Sequence, residues 1–226
     1  MKIIVRCHQC GPNEEAALLE IGNDNLHQVT CDTGHKSSLV VTQQKHEILF
    51  EVATHAIVDG YYREAISSFS ASLERYYEFF IKVISVELSS ETFKKAWSQI
   101  ASQSERQLGA YIMTYANIYG LPPDILPPPL TKLRNDVIHK GHIPSRLEAI
   151  IFGNAVAKIV NDGCNLLHQT KEAHLQEIIR KAMCPDDSSE HPTLVLHTYL
   201  NCLIASELRP FEEYLKHVQT HNKPRF

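Results

Sequence analysis

The sequence has no apolar run approaching the roughly 20 residues that a membrane-spanning helix requires, which excludes a helical membrane anchor within it. Its opening stretch, MKIIVRCHQCG, is interrupted by a cysteine pair straight after Ile3-Ile4-Val5, so no secretory leader is expected there. It has no surplus of basic charge. The 22 Lys and Arg against 26 Asp and Glu leave a formal net charge of −4. That balance excludes general adhesion to nucleic acid and leaves only a local basic patch or a shaped pocket as a route to RNA or DNA. There is no internal repeat and no low-complexity tract, which excludes solenoid and compositionally biased architectures. At 226 residues the chain is too short for a large multidomain enzyme and long enough for one sizeable domain with a small appendage. These absences make the expected protein cytoplasmic, with no membrane partner. Its six cysteines should stay reduced, as metal ligands or buried thiols rather than disulfides.

The texture changes near Gln44. Residues 1–43 hold four short runs that read as strands, MKIIVRC, AALLEI, LHQVTC and SSLVV, with Gly22-Asn23-Asp24-Asn25 as a hairpin turn between the second and third. A piece this small hardly buries a core of its own and needs a staple. From His46 the texture is helical. In YYREAISSFSASLERYYEFFIKVISVEL, Ile66, Phe69, Leu73, Tyr76, Phe80 and Ile84 recur at three- and four-residue steps and form one apolar stripe. Ser89-Ser90 before Glu91 predicts a helix N-cap, and Gly120 predicts a helix end. LPPDILPPPL reads as a rigid connector, with helix resuming at Leu130. Residues 145–183 read as one long helix or two, Met183–Pro192 as a linker, and the tail from Thr193 to His217 as one or two helices.

The staple is legible. Cys7-x2-Cys10 is followed by Cys31-x3-His35, two knuckles that each offer two soft ligands, as tetrahedral zinc requires. Gly11 follows the first knuckle and Gly34 lies inside the second, where the backbone must turn sharply. His8 and His27 compete with His35, but one lies between the cysteines and the other on an expected strand. Four protein ligands leave no open position, so the expected Zn2+ is structural, and losing it should unfold the module. Cys164, His168, Cys184, His191, His197 and Cys202 lack paired-knuckle spacing and read as ordinary thiols and histidines.

The segment Leu133–Gly141, LRNDVIHKG, carries the other chemistry. On a helix, Asn135 and His139 share a face and Arg134 lies beside Asn135. Gly141 and Pro144 end that helix just past His139, where the helix dipole favours a protonated imidazole. Lys132, Arg134, Lys140, His142 and Arg146 make a basic cluster suited to an anionic, phosphate-like group, or equally a solvated face. Arg134 could instead pair with a carboxylate such as Asp136 of a neighbour while His139 merely terminates the helix.

The segment resembles the signature of HEPN domains, small helical domains with an Arg-x4–6-His motif and a polar residue after the arginine. The leading Leu133, Asn135 directly after Arg134, and the trailing HKG all fit. GYYREAISSFSASLERYYEFF resembles the family's early helix pair and RLEAIIFGNAVAKIVND the helix after the motif, so the likeness covers roughly residues 46–170. The resemblance implies a mainly α fold, a HEPN-like helical bundle with a small N-terminal β zinc ribbon, α+β overall. The implied division is 1–43 as zinc-ribbon-like module, 46–182 as HEPN-like helical domain and 193–226 as C-terminal helical extension. It also implies a metal-independent endoribonuclease, acting in toxin or anti-phage defence as a homodimer, with RNA as substrate and an antitoxin or defence-system component as a further partner. Arg134, Asn135 and His139 would form a composite catalytic cleft across the two-fold axis, with Lys140, Lys132 and His142 binding substrate and no cofactor for catalysis. Two alternatives are a non-catalytic HEPN-like dimerisation or binding module and a zinc-ribbon nucleic-acid adaptor.

Overall fold

The computed structural model describes residues 2–7, 9–11, 15–183, 193–196 and 211–221. The fold is mainly helical with a small β component, the α+β class expected. The chain divides into two units, Met1–Gln43 with Gln176–Tyr199, and Gln44–Leu175 with Leu200–Phe226. Among the described residues no helix is long and apolar enough to cross a membrane.

In the first unit β1 (Lys2–Arg6) and β2 (Glu15–Glu20) pair antiparallel. A separate sheet has the order β3-β4-β5, with β3 (Leu26–Thr30) antiparallel and β5 (Thr193–Leu196) parallel to β4 (Lys36–Val41). The central strand β4 buries Ser38, Leu39, Val40 and Val41 in succession, the unbroken pattern of a strand covered on both faces. Two expectations are corrected here. Gly22–Asn25 does not close a hairpin, because β2 and β3 belong to different sheets. The hairpin tips are the two cysteine knuckles, where Gly11 (φ 101°) and Gly34 (φ 88°) adopt the left-handed backbone that side chains resist. The tail is also not helical throughout. Thr193–Leu196 is a strand, because an apolar, β-branched run meets the open edge of β4, whose backbone groups need partners.

In the second unit α1 (Lys45–Val58) opens with a capping box in which Gln44 N–H donates to Glu47 Oε2 at 2.7 Å. The central helix α2 (Tyr62–Ile84) packs against α1, α4 (Ser104–Tyr119), α5 (Pro128–Lys140) and α6 (Arg146–Thr170). Its stripe behaves as the periodicity requires. Ile66, Phe69, Leu73, Tyr76 and Phe80 are buried and Ile84 is half-buried. The short α3 (Ser90–Ser98) is capped by Ser89, whose hydroxyl accepts from the Thr92 N–H. α7 (Glu172–Met183) follows α6 and crosses the division between the units after Leu175, and α8 (Phe211–His221) returns to α1 and α6. Phe211 of α8 joins Phe50 and Phe69 in an aromatic cluster. A Cβ added at Gly163 of α6 would lie 1.6 Å from the Tyr76 hydroxyl, so α6 approaches α2 only because that position is glycine. α5 begins at Pro128, two residues before the expected start. Its first-turn N–H groups have no intrahelical acceptor, so prolines cost nothing there.

Candidate functional site

The two hairpin tips of the first unit converge on one cluster. The ligand atoms of Cys7, Cys10, Cys31 and His35 all lie within 4.8 Å of one another, and this is the one such group among the described residues. Cys10 Sγ and Cys31 Sγ are 3.7 Å apart, as are Cys7 Sγ and His35 Nδ1. A tetrahedron with metal–sulfur bonds of ~2.3 Å has edges of about 3.8 Å, so these separations fit one ion between the four donors. Cys10 Sγ to His35 Nδ1 is tighter, at 3.2 Å. The Cys31–His35 turn is held by Cys31 N–H to His35 O at 3.0 Å and Gly34 N–H to Cys31 O at 2.8 Å, and the His35 N–H donates to Cys31 Sγ at 3.3 Å. The Thr33 hydroxyl lies 2.9 Å from both Cys10 Sγ and Cys31 Sγ and 3.1 Å from His35 Nδ1. That hydroxyl is the main reason the Cys31 thiol lies below the usual thiol range. A Cys3His group at this geometry could hold a metal ion. His27 lies on β3, and His8, Cys184, His191, His197 and Cys202 lie outside the described residues. Cys164 is buried on α6, as expected of a core thiol, and His168 is exposed.

In the second unit LRNDVIHKG lies on α5. Val137 is fully buried and anchors the helix. Gly141 (φ 72°) ends it, with the Gly141 and His142 amides both donating to the Asp136 carbonyl. Arg134 is half-buried. Its Nη2 donates to Glu74 Oε1 of α2 at 2.8 Å and its Nη1 to Asn135 Oδ1 at 3.3 Å. His139 is solvent-exposed near the helix end. Residues five apart on a helix point about 140° from each other, so one copy of α5 does not turn Arg134 and His139 toward one point.

Lys132 and Lys140 both reach Asp136, at 2.5 and 2.7 Å, one turn to either side. Together they hold its carboxyl down at about 2. His142 Nε2 lies 3.5 Å from Glu148 Oε1. Each basic side chain expected to meet substrate thus already faces a carboxylate. An open groove of about 650 Å³ runs along α5, lined by Tyr77 of α2, Leu108 of α4, Leu126 and Pro128, and by Asn135 and Lys140. Lys132 also lines it, whereas Arg134, His139 and His142 do not. Burial raises the Tyr77 phenol, helped by Tyr111 and Glu74 and opposed by Arg134. Past the motif, Ile143 (82% exposed), Leu147 (66%) and Ile151 (47%) present apolar surface to solvent.

Three residues of these sites escaped the sequence reading. Glu74 lies sixty residues from Arg134, and no local spacing signals the pair. Tyr77 shares a helix with the core stripe and reads as packing. Thr33 lies inside the second knuckle, and its position between two ligands was the available clue. Compared with family models, with curated proteins and with solved structures, the chain matches none.

Proposed function

We propose that the chain is a metal-independent endoribonuclease of the HEPN type, acting as a homodimer in toxin or anti-phage defence, and that its first unit is stapled by zinc. The observation that carries the reading is the guanidinium of Arg134 held between Glu74 and Asn135 on the helix that presents His139 to solvent. A preoriented guanidinium stabilises charge on a phosphodiester. An imidazole can accept a proton at one step and donate one at the next. The 140° between the two directions on α5 is why two copies are needed, Arg134 and His139 of each meeting around one phosphate. The apolar surface of Ile143, Leu147 and Ile151, next to the motif in the chain, supplies a face for the second copy.

In this reading a ribose 2′-oxygen attacks the adjacent phosphorus while His139 of one copy takes the hydroxyl proton. The P–O5′ bond breaks as His139 of the other copy returns a proton to the leaving oxygen. The products are a 2′,3′-cyclic phosphate and a 5′-hydroxyl. Arg134 stabilises the five-coordinate phosphorus, Asn135 orients it, and Glu74 positions the guanidinium. Single-stranded RNA suits the groove beside Asn135, where an unstacked base has apolar walls to lie against. Zinc is the ion a Cys3His set with these separations suits, and four protein donors leave it a structural part.

Incubating the full chain with single-stranded RNA, with and without chelator, tests this. Cleavage that survives chelator, leaves cyclic-phosphate ends and vanishes in Arg134→Ala and His139→Ala is the expected result. Activity equal in His139→Ala would refute it. A second reading, a non-catalytic HEPN-like binding module, is favoured by the carboxylates already facing Lys132, Lys140, Arg134 and His142. It predicts a stable dimer or partner complex and no cleavage.

A further inference from the structure

The Thr33 hydroxyl makes three contacts that a turn residue does not need, with Cys10 Sγ (2.9 Å), Cys31 Sγ (2.9 Å) and His35 Nδ1 (3.1 Å). It spans three of the four donors of the Cys3His set. The residue itself is exposed, whereas Cys7 and Cys31 are buried and Cys10 and His35 half-buried, so Thr33 stands on the solvent side of the cage. The Cys31–His35 backbone turn fixes it there. We propose that Thr33 is the residue that retains the metal: its side chain covers the face formed by Cys10, Cys31 and His35, and its single hydroxyl proton is shared between the Cys10 and Cys31 sulfurs.

Charge explains why such a donor matters. Three thiolates around a divalent ion carry a net charge of −1, and that excess sits on sulfur. Hydrogen bonds to the sulfurs spread it and hold the donors in place around the ion. The His35 amide already serves Cys31 at 3.3 Å. Cys10, less buried than Cys7 and Cys31, has the Thr33 hydroxyl as its hydrogen-bonding neighbour outside the ligand set among the described residues. Among the described residues Thr33 is the exposed side chain lying over that face. This does not depend on what the helical unit does.

The test uses the full chain loaded with Co2+, whose thiolate charge-transfer absorption reports the cage directly, and follows its loss to excess chelator. Thr33→Val keeps the bulk and removes the hydroxyl, Thr33→Ala removes both, and Thr33→Ser keeps the hydroxyl. Outer-shell partners of metal ligands are typically worth about 10- to 100-fold in metal affinity, so Val and Ala are expected to lose Co2+ about 10- to 100-fold faster, with Ser within a few-fold of the parent. A Val or Ala variant that takes up no Co2+ at all while Ser does supports the same role. Val releasing Co2+ at the parent rate overturns it, because bulk alone would then suffice. Ser behaving like Ala overturns it as well.

Discussion

Glu74 Oε1 accepts a hydrogen bond from Arg134 Nη2 at 2.8 Å, tying α2 to α5 across sixty residues of chain. With Asn135 on the other Nη, the guanidinium is gripped from two helices. Glu74→Gln keeps the shape and removes the charge. On the proposed ribonuclease reading, RNA cleavage is expected to fall about tenfold or more, while stability changes by only ~1 kcal/mol because the pair is partly exposed. Measuring kcat/KM beside the melting temperature separates the two effects. A drop in both by the same free energy would make Glu74 a fold residue only.

Asp136 holds Lys132 and Lys140 on one face of α5. On the proposed reading, Asp136→Asn should release both ammonium groups, tighten single-stranded RNA binding and steepen its salt dependence. Each phosphate contact on a single strand adds ~0.7 to the slope of log K against log salt, so two freed lysines add about 1.4. Binding titrations at several salt concentrations give the slope, and no change in it would show that the lysines do not meet phosphate.

The four residues that could hold a metal ion sit at hairpin tips, so removal of the proposed zinc should act locally. Chelation is expected to abolish amide protection in β3 and β4 while the far-ultraviolet helix signal persists. Hydrogen exchange with and without chelator reads this directly. Protection unchanged after the metal has left would mean that the module stands without its staple.

His46 is 1% exposed, against the rings of Tyr76 and Phe79, and burial lowers its pKa to about 3 from the 6.5 of an exposed histidine. Between those values the unfolded chain binds a proton that the folded chain does not. Its contribution is therefore intact above pH 6.5 and is lost as pH falls below it, at about 1.4 kcal/mol per pH unit. From pH 7 to 5.5 the parent should lose about 1 kcal/mol more than His46→Phe, measured by denaturant unfolding at both pH values. Parallel pH profiles for the two proteins would contradict this.

Gly163→Ala places a methyl 1.6 Å from the Tyr76 hydroxyl. Overpacking of this kind costs ~1–3 kcal/mol, so the melting temperature should drop by several degrees. Adding Tyr76→Phe removes the atom the methyl meets first and should recover part of the loss.

What could be read from the sequence was whatever has a short period or a fixed spacing. The α2 stripe, the Ser89 cap, the glycine ends at 120 and 141 and the Cys3His set all follow from neighbours within a few residues. The strand at Thr193–Leu196 was misread because its identity comes from β4, more than 150 positions away, and its own four residues fit a helix turn as easily. Glu74 was missed for the same reason. Its partner is chosen by how α2 crosses α5, and the chain between them gives no sign of it. The basic cluster reads from the sequence as a phosphate site or equally as a solvated face, and the i,i+4 spacing of Asp136 from Lys132 and Lys140 is the local sign that the two lysines are already paired.

The strand Thr193–Leu196 has a practical corollary. The small N-terminal module is sewn shut with thread from the far end of the molecule, so it is not a detachable tag. A fragment stopping at residue 43 would leave one flank of β4 bare, and bare flanks of that kind recruit other copies into ladders. Any premature stop before residue 193 would damage the front of the protein as surely as the back.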